Sequence, residues 1–202
     1  ENIQSRFVVK KIREINRKGI PLNEIAVLFR ASFHSFDLEI ELSREGIPFI
    51  KVGGFKFMES AHIKDVLAHL RVISNPLDRI SWYRILLLLD NIGPKTAIDI
   101  YDTIMAEKAG YTGILAIQPK SRRSKGMVRL KDLFSTIDSK PISVSQLGEA
   151  IVNYYVPMLK EKYDDHPKRT RDLEHLVTIM ERYGNLKPFL SDMALEPPNT
   201  SL

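Results

Sequence analysis

The stretch that decides the fold is residues 86–97, which read LLLLDNIGPKTA. The leucines continue an apolar helix into a short turn that holds Asn91 and Gly93, the residue types that best tolerate a left-handed backbone. Pro94 suits the first position of a second helix, because the N–H that proline lacks has no partner within a helix there. The stretch therefore predicts two helices joined by a tight turn.

The start of this second helix is suited to binding an anion. Backbone N–H groups in the first turn of a helix have no acceptor within it, and the helix dipole places partial positive charge at the same end. Lys95 adds a full charge beside them. A phosphate fits such donors, and contacts of this kind hold a nucleic-acid backbone without distinguishing its bases. The alternative is an ordinary corner between two helices, in which glycine and proline only end one and start the next.

The rest of the chain from Ile63 onward is predicted to be all-α. Apolar residues recur there with the 3.6-residue period of a helix, and Asn75-Pro76 interrupts the first of these helices. Trp82 and the leucines that follow it are expected in the core. Further helices are expected over residues 80–89, 97–107, 128–137, 144–155, 170–183 and 187–195.

The preceding residues alternate helices with short apolar runs. One helix is expected to end at Gly19, and a second is expected between a Ser35 cap and Gly46. Residues 25–29 and 47–52 are predicted to be strands. This order predicts a small, partial α/β segment whose remaining strands belong to a longer chain, because two strands make an incomplete parallel sheet. The expected fold class is mainly α, with this segment placed before a helical domain.

The composition is that of a globular protein and excludes several functions. The 202 residues include 30 lysines and arginines against 25 acidic residues, and the net charge of +5 permits a polyanionic partner. The absence of cysteine excludes disulfides and thiol catalysis and favours the cytoplasm. The longest apolar run, residues 85–89, is too short to span a membrane, and the histidines lack metal-ligand spacing. Because the first residue is Glu1 and not methionine, we expect a piece or a processed product of a larger protein.

The turn resembles the helix-hairpin-helix motif of DNA-binding proteins, in which a Gly-Ile-Gly or similar triplet is followed by small and basic residues. Asn91 stands in place of the first glycine, and its side chain is expected to hold a phosphate farther away and weaken the contact. The residues that this resemblance implies for DNA binding are Asn91, Ile92, Gly93, Lys95 and Thr96.

A longer pattern, over residues 25–93, resembles the UvrD/Rep-type superfamily 1 DNA helicases in order and spacing. Its members are Ile25-Ala26-Val27-Leu28-Phe29-Arg30, Ser35, Leu38-Glu39, Leu42, Gly46-Ile47-Pro48-Phe49, Val52-Gly53-Gly54, Phe57, Glu59, Ile63-Lys64-Asp65, Leu70-Arg71, Asn75-Pro76, Asp78 and Asn91-Ile92-Gly93. Three positions depart from the family pattern: Ala31, where threonine or serine is common, Phe36, where arginine is usual, and His62, where glutamate is usual.

The resemblance implies a fragment of an ATP-driven motor that moves 3′ to 5′ on single-stranded DNA and separates duplex strands. Residues 1–67 would begin the second RecA-like domain (2A), residues 68–196 would form the inserted helical domain (2B), and residues 197–202 would be a polar tail. The sequence has neither a phosphate-binding loop ending in Gly-Lys-Ser/Thr nor a paired-acid motif for magnesium. We therefore expect no catalytic residue and no cofactor in this fragment, and expect ATP and Mg²⁺ to bind elsewhere in the parent helicase.

Three further residues are candidates for DNA contact. Arg30 ends a predicted strand, where α/β folds place ligand contacts, and a surface ion pair is its alternative role. Lys56 and Phe57 follow a glycine pair, so a base could stack on the Phe57 ring while Lys56 meets a phosphate. The alternative for Phe57 is a place in the core.

The function expected from these features is duplex backbone binding and regulation of unwinding, with DNA junctions and the remaining motor domains as partners. Two alternatives remain open. The chain could be a stand-alone DNA-binding module that serves another enzyme, or a protein-interaction domain without a role on nucleic acid. A duplex-binding titration separates the last of these from the other two.

Overall fold

Helical periodicity and glycine ends determine the secondary structure. The computed structural model describes residues 2–30, 32–52, 57–118 and 124–194, and these ranges are mainly helical with no β-strand. The mainly α fold class is thereby confirmed. The α-helices in these ranges are α1 (Asn2–Arg17), α2 (Phe36–Arg44), α3 (Ala61–Ser74), α4 (Arg79–Leu86), α5 (Pro94–Ala106), α6 (Ser124–Asp138), α7 (Val144–Lys162), α8 (His166–Met180) and α9 (Leu186–Asp192).

The chain divides into two compact units. The first comprises Glu1–Ser60 and Ser191–Leu202, and the second is Ala61–Leu190. The division precedes α3, whereas the expected boundary between residues 67 and 68 lies inside this continuous helix. The expected tail, residues 197–202, lies outside the described residues.

The first unit is built on α1 and α2. Gly19 and Gly46 follow these helices with φ of 95° and 64°, so each supplies the left-handed backbone that stops a helix, as predicted. Ser35 occupies the N-cap of α2, but its hydroxyl donates to Glu39 Oε1 at 2.6 Å and makes no cap bond. The buried residues of this core are Val9, Ile12, Leu38, Leu42 and Ile47.

The two predicted strands are not formed, so the partial α/β segment is not confirmed. Ile25 is extended, with φ −104° and ψ 123°, but residues 25–29 and 47–52 lie in no β-ladder of the described chain. A strand needs a neighbouring strand to accept and donate its backbone hydrogen bonds, and neither run has one here. Both runs instead expose apolar side chains, and Leu28 and Val52 are 93% and 95% exposed.

The core of the second unit contains the Trp82 side chain of α4. Trp82 is fully buried, as predicted, and its indole N–H donates to the Pro76 carbonyl at 2.8 Å. Its ring lies 5.7 Å from that of Phe134 on α6. This single tryptophan therefore reports on the interior of the second unit.

A buried carboxylate links α3, α4 and α7. Asp65 on α3 is 2% exposed, and its two oxygens accept from Arg84 Nε on α4 and from the Tyr155 hydroxyl on α7, both at 2.6 Å. Burial, more than the nearby Asp65 charge, raises the pKa of Tyr155 above its usual range. The phenol therefore stays protonated and remains a donor to the carboxylate.

Helix α7 continues beyond the predicted end at residue 155. A capping box begins it, in which Ser143 Oγ accepts from the Gln146 backbone N–H at 3.2 Å and the Gln146 side chain accepts from the Ser143 N–H at 2.9 Å. Pro157 lies inside the helix, and Leu159 beyond it is fully buried. Burial of Leu159 thus opposes the loss of the hydrogen bond that the proline removes.

Candidate nucleic-acid interface

The turn between α4 and α5 has the backbone that its residues predict, with one difference. Asn91 adopts the left-handed region at φ 60°, whereas Gly93 is extended at φ −92° and ψ 176° and is the N-cap of α5. Pro94 occupies the first turn of that helix, as expected. A Cβ at Gly93 would meet no atom within 4 Å, so glycine here leaves the surface open to close approach from outside.

Apolar side chains on both sides of the turn are buried in the core of the second unit. Leu89 and Ile92 are 5% and 6% exposed, and Ala97 is fully buried. The Ile92 side chain therefore belongs to the core, and its predicted place among the DNA contacts stays a prediction. Ile92 fixes the turn so that the neighbouring polar groups face solvent.

The exposed side of the turn carries unused backbone donors. Ala97 N–H donates to the Gly93 carbonyl at 3.0 Å, which closes the first hydrogen-bonded turn of α5. The N–H groups of Lys95 and Thr96 have no acceptor in the described part of the chain, and no side chain caps the helix. Lys95 is exposed, Thr96 is half-buried, and Asp90 adds an exposed carboxylate to the same turn. Two amide donors, the Lys95 side chain and the positive end of the helix dipole thus belong to the first turn of α5.

The candidate residues of the first unit differ in how exposed their side chains are. Arg30 is exposed, as a ligand contact requires. Phe57 is 1% exposed and stacks on Phe36 with ring centres 4.1 Å apart, so both ring faces are enclosed in the core. The predicted stacking of a base on Phe57 is therefore wrong for this structure, and its alternative place in the core is confirmed. Lys56 lies outside the described residues.

The structure also brings cationic side chains of α6 and α7 to the turn. Lys125 and Arg129 on α6 and Lys162 on α7 line one cleft with Asn91. Their spacing in the chain gives no hint of this proximity, because it arises from how α6 and α7 pack against the turn.

Neither a metal site nor a membrane span is found in the described residues. They contain no group of three or more histidine or acidic side chains placed to hold a metal ion. No helix among them is both long enough and apolar enough to cross a bilayer.

The helices and the open turn define a class: a mainly helical chain with a helix-turn-helix corner that presents unpaired amide donors. Comparison with known proteins then places it more narrowly. The family described as the UvrD-like helicase C-terminal domain matches residues 1–196, and the chain belongs to this family. The predicted resemblance to UvrD/Rep-type helicases is confirmed.

Several curated relatives are helicases. The chain is 28% identical over 192 residues to the probable DNA helicase II homolog of Mycoplasma capricolum, covering 94% of this chain and 26% of that protein. It is 27% identical over 214 residues to the ATP-dependent DNA helicase PcrA of Bacillus subtilis, covering 95% and 28%. It is 41% identical over 213 residues to PcrA of Staphylococcus epidermidis, covering 96% and 29%. The chain thus spans under a third of the length of these relatives.

Proposed function

We propose that this chain is the part of an ATP-dependent 3′ to 5′ DNA helicase that grips the backbone of duplex DNA ahead of the strand junction. The observation that carries the proposal is the pair of unused N–H groups at Lys95 and Thr96, placed beside the Lys95 ammonium at the start of α5. These donors match a phosphate oxygen and read no base. The family and the names of its relatives agree with a DNA substrate.

The same proposal assigns ATP hydrolysis and DNA binding to different parts of the parent enzyme. ATP and Mg²⁺ bind to other domains of the parent enzyme, which hydrolyse the nucleotide, and this chain by itself does not. The helical part acts as the 2B domain and regulates unwinding by changing its orientation. The preceding residues belong to the 2A domain, where Arg30 contacts DNA or a neighbouring domain.

Exposed apolar residues of the first unit support the 2A assignment. Leu28 is 93% exposed, Ile50 is 61% exposed and Val52 is 95% exposed, in runs whose backbone hydrogen bonds lack a strand partner among the described residues. Exposed apolar side chains in such number are normally covered by another part of the protein or by a partner. In this proposal, further strands of the same RecA-like domain pair with these runs and cover their apolar side chains.

The proposal is tested by titrating a short duplex of mixed sequence with the purified chain at several salt concentrations. The logarithm of the binding constant should fall linearly with the logarithm of salt concentration, and Lys95→Ala should reduce the slope by about one. Lys140→Ala, an exposed lysine in the connection between α6 and α7, is the matched control and should leave the slope unchanged.

Two results would contradict the proposal. A slope for Lys95→Ala equal to that of the unchanged chain would remove the turn from the interface. Absence of duplex binding at low salt would favour a protein-interaction domain instead.

A further inference from the structure

A cleft of about 750 Å³ opens in the second unit beside the turn. One wall is the turn itself, from Leu87 to Asn91, and the others are the start of α6 and the second half of α7. Tyr154 and Met158 of α7 line it, so part of its surface is apolar. Asn91 belongs both to this cleft and to the exposed face of the turn.

Three cations border the cleft, and each lacks an acidic partner among the described residues. Lys125, Arg129 and Lys162 are exposed, and none of them forms an ion pair with another described residue. Two carboxylates, Asp90 and Glu161, also line the cleft, so cations exceed acids by one. Unpaired cations around a concave surface attract an anionic partner.

Arg129 is held in position for such a partner. One of its terminal nitrogens donates to the Tyr154 carbonyl at 3.2 Å, and its guanidinium lies 5.7 Å from the centre of the Tyr154 ring. Tyr154 is buried and therefore fixes the direction of the arginine. A guanidinium has five N–H donors, so the remaining donors are free to bind two oxygens of one phosphate.

The start of α6 approaches the turn closely. A Cβ added at Gly126 would lie 3.3 Å from Leu89 Cδ2 and 3.9 Å from Leu89 Cα. Glycine at this position therefore allows the first turn of α6 to pack directly on the α4–α5 turn. As a result, Lys125 and Arg129 lie in the same cleft as Asn91 of the turn.

A second charged cleft, of about 450 Å³ in the first unit, differs because part of its positive charge is paired with carboxylates that line the same cleft. Among its lining residues, Arg13 pairs with Glu45 at 2.5 Å and Arg44 pairs with Glu41 at 3.0 Å. At Arg13 and Arg44 a phosphate would compete with these carboxylates, whereas the three cations of the cleft beside the turn have no such competitor among the described residues.

We propose that the cleft beside the turn binds a second stretch of the DNA backbone held at Lys95, with Arg129 clamping one phosphate and Lys125 and Lys162 flanking it. This inference rests on the proposed function, because the turn supplies the first contact. Holding the backbone at two places fixes its direction across the second unit, whereas a single phosphate contact leaves the duplex free to pivot.

The test uses variants of one cation from each of the two helices that line the cleft, α6 and α7. Arg129→Gln and Lys162→Ala should each reduce the salt slope of duplex binding by about one, and the double variant by about two. Lys160→Ala is the matched control, since it is an exposed lysine of the same last turn of α7 that does not line the cleft. It should leave the slope unchanged. Trp82 fluorescence during thermal unfolding checks that every variant keeps the fold of the second unit.

The outcomes separate this inference from the proposed function. If the unchanged chain binds duplex and Lys95→Ala weakens binding while Arg129→Gln and Lys162→Ala do not, the inference is overturned and the proposed function stands. If the unchanged chain does not bind duplex, both the inference and the proposed function are overturned. An equal loss for Lys160→Ala would overturn the inference, because it would reveal a diffuse charge effect. Binding of a polyglutamate peptide that the two variants abolish, with duplex binding unaltered, would assign the cleft to an acidic protein instead.

Discussion

Replacing Asp65 with alanine is expected to lower the free energy of unfolding of the second unit by about 3 kcal/mol, because it removes a buried acceptor from two donors at once. The Tyr155 hydroxyl would remain enclosed without a partner, while Arg84, 38% exposed, could turn to water. Urea unfolding followed by Trp82 fluorescence measures this loss in the unit that contains the network.

Two further variants measure how much the Tyr155 hydroxyl contributes to the free energy of unfolding. Tyr155→Phe removes only the hydroxyl and should cost about 1 kcal/mol. Combining it with Asp65→Ala should cost less than the sum of the single changes, since the two groups contact each other. A loss below about 1 kcal/mol for Asp65→Ala would show that the network does not hold α3, α4 and α7 together.

Acidification is expected to destabilise the second unit through His69. This side chain is fully buried, and burial is the main reason that its pKa falls from 6.5 to about 4, against opposing contributions from Asp65. Its Nδ1–H donates to the Asp65 carbonyl at 2.8 Å, and no described residue partners its Nε2. Protonation would therefore place in the core a charged ring whose Nε2–H has no acceptor among the described residues, with its centre 5.5 Å from that of the Tyr154 ring.

The direction of the pH effect follows from the lowered pKa. The contribution of His69 to stability is complete above pH 6.5 and is lost as the pH falls toward 4, by about 3 kcal/mol in total. Urea unfolding of the unchanged chain and of His69→Gln between these pH values isolates the effect. The difference in their free energies of unfolding should shrink as the pH falls, and a difference independent of pH would contradict the assignment.

The sequence predicts the parts of this fold whose causes are local. The helix ends at Gly19 and Gly46 and the start of α5 at Pro94 depend on the backbone preferences of one or two residues. The apolar stripe around Trp82 likewise follows from helical spacing alone. The family could be predicted because its pattern is spread over many residues in a fixed order.

The parts that the sequence does not predict depend on residues far apart in the chain. The runs 25–29 and 47–52 have strand composition, yet a strand forms only when another strand pairs with it. Phe57 becomes a core residue because Phe36 meets its ring and Glu39 accepts its backbone N–H at 3.0 Å. The cationic cleft exists because α6 and α7 pack on the turn, which no local pattern encodes.

The central claim is that the backbone N–H groups at the start of α5 bind phosphate. The most direct measurement is the amide NMR spectrum of the isotope-labelled chain during titration with a short DNA duplex at low salt. We predict that the amides of Gly93, Lys95 and Thr96 shift most within the turn, and that added salt returns them to their free positions. Saturation with duplex that leaves these three amides unmoved, while others shift, would contradict the claim.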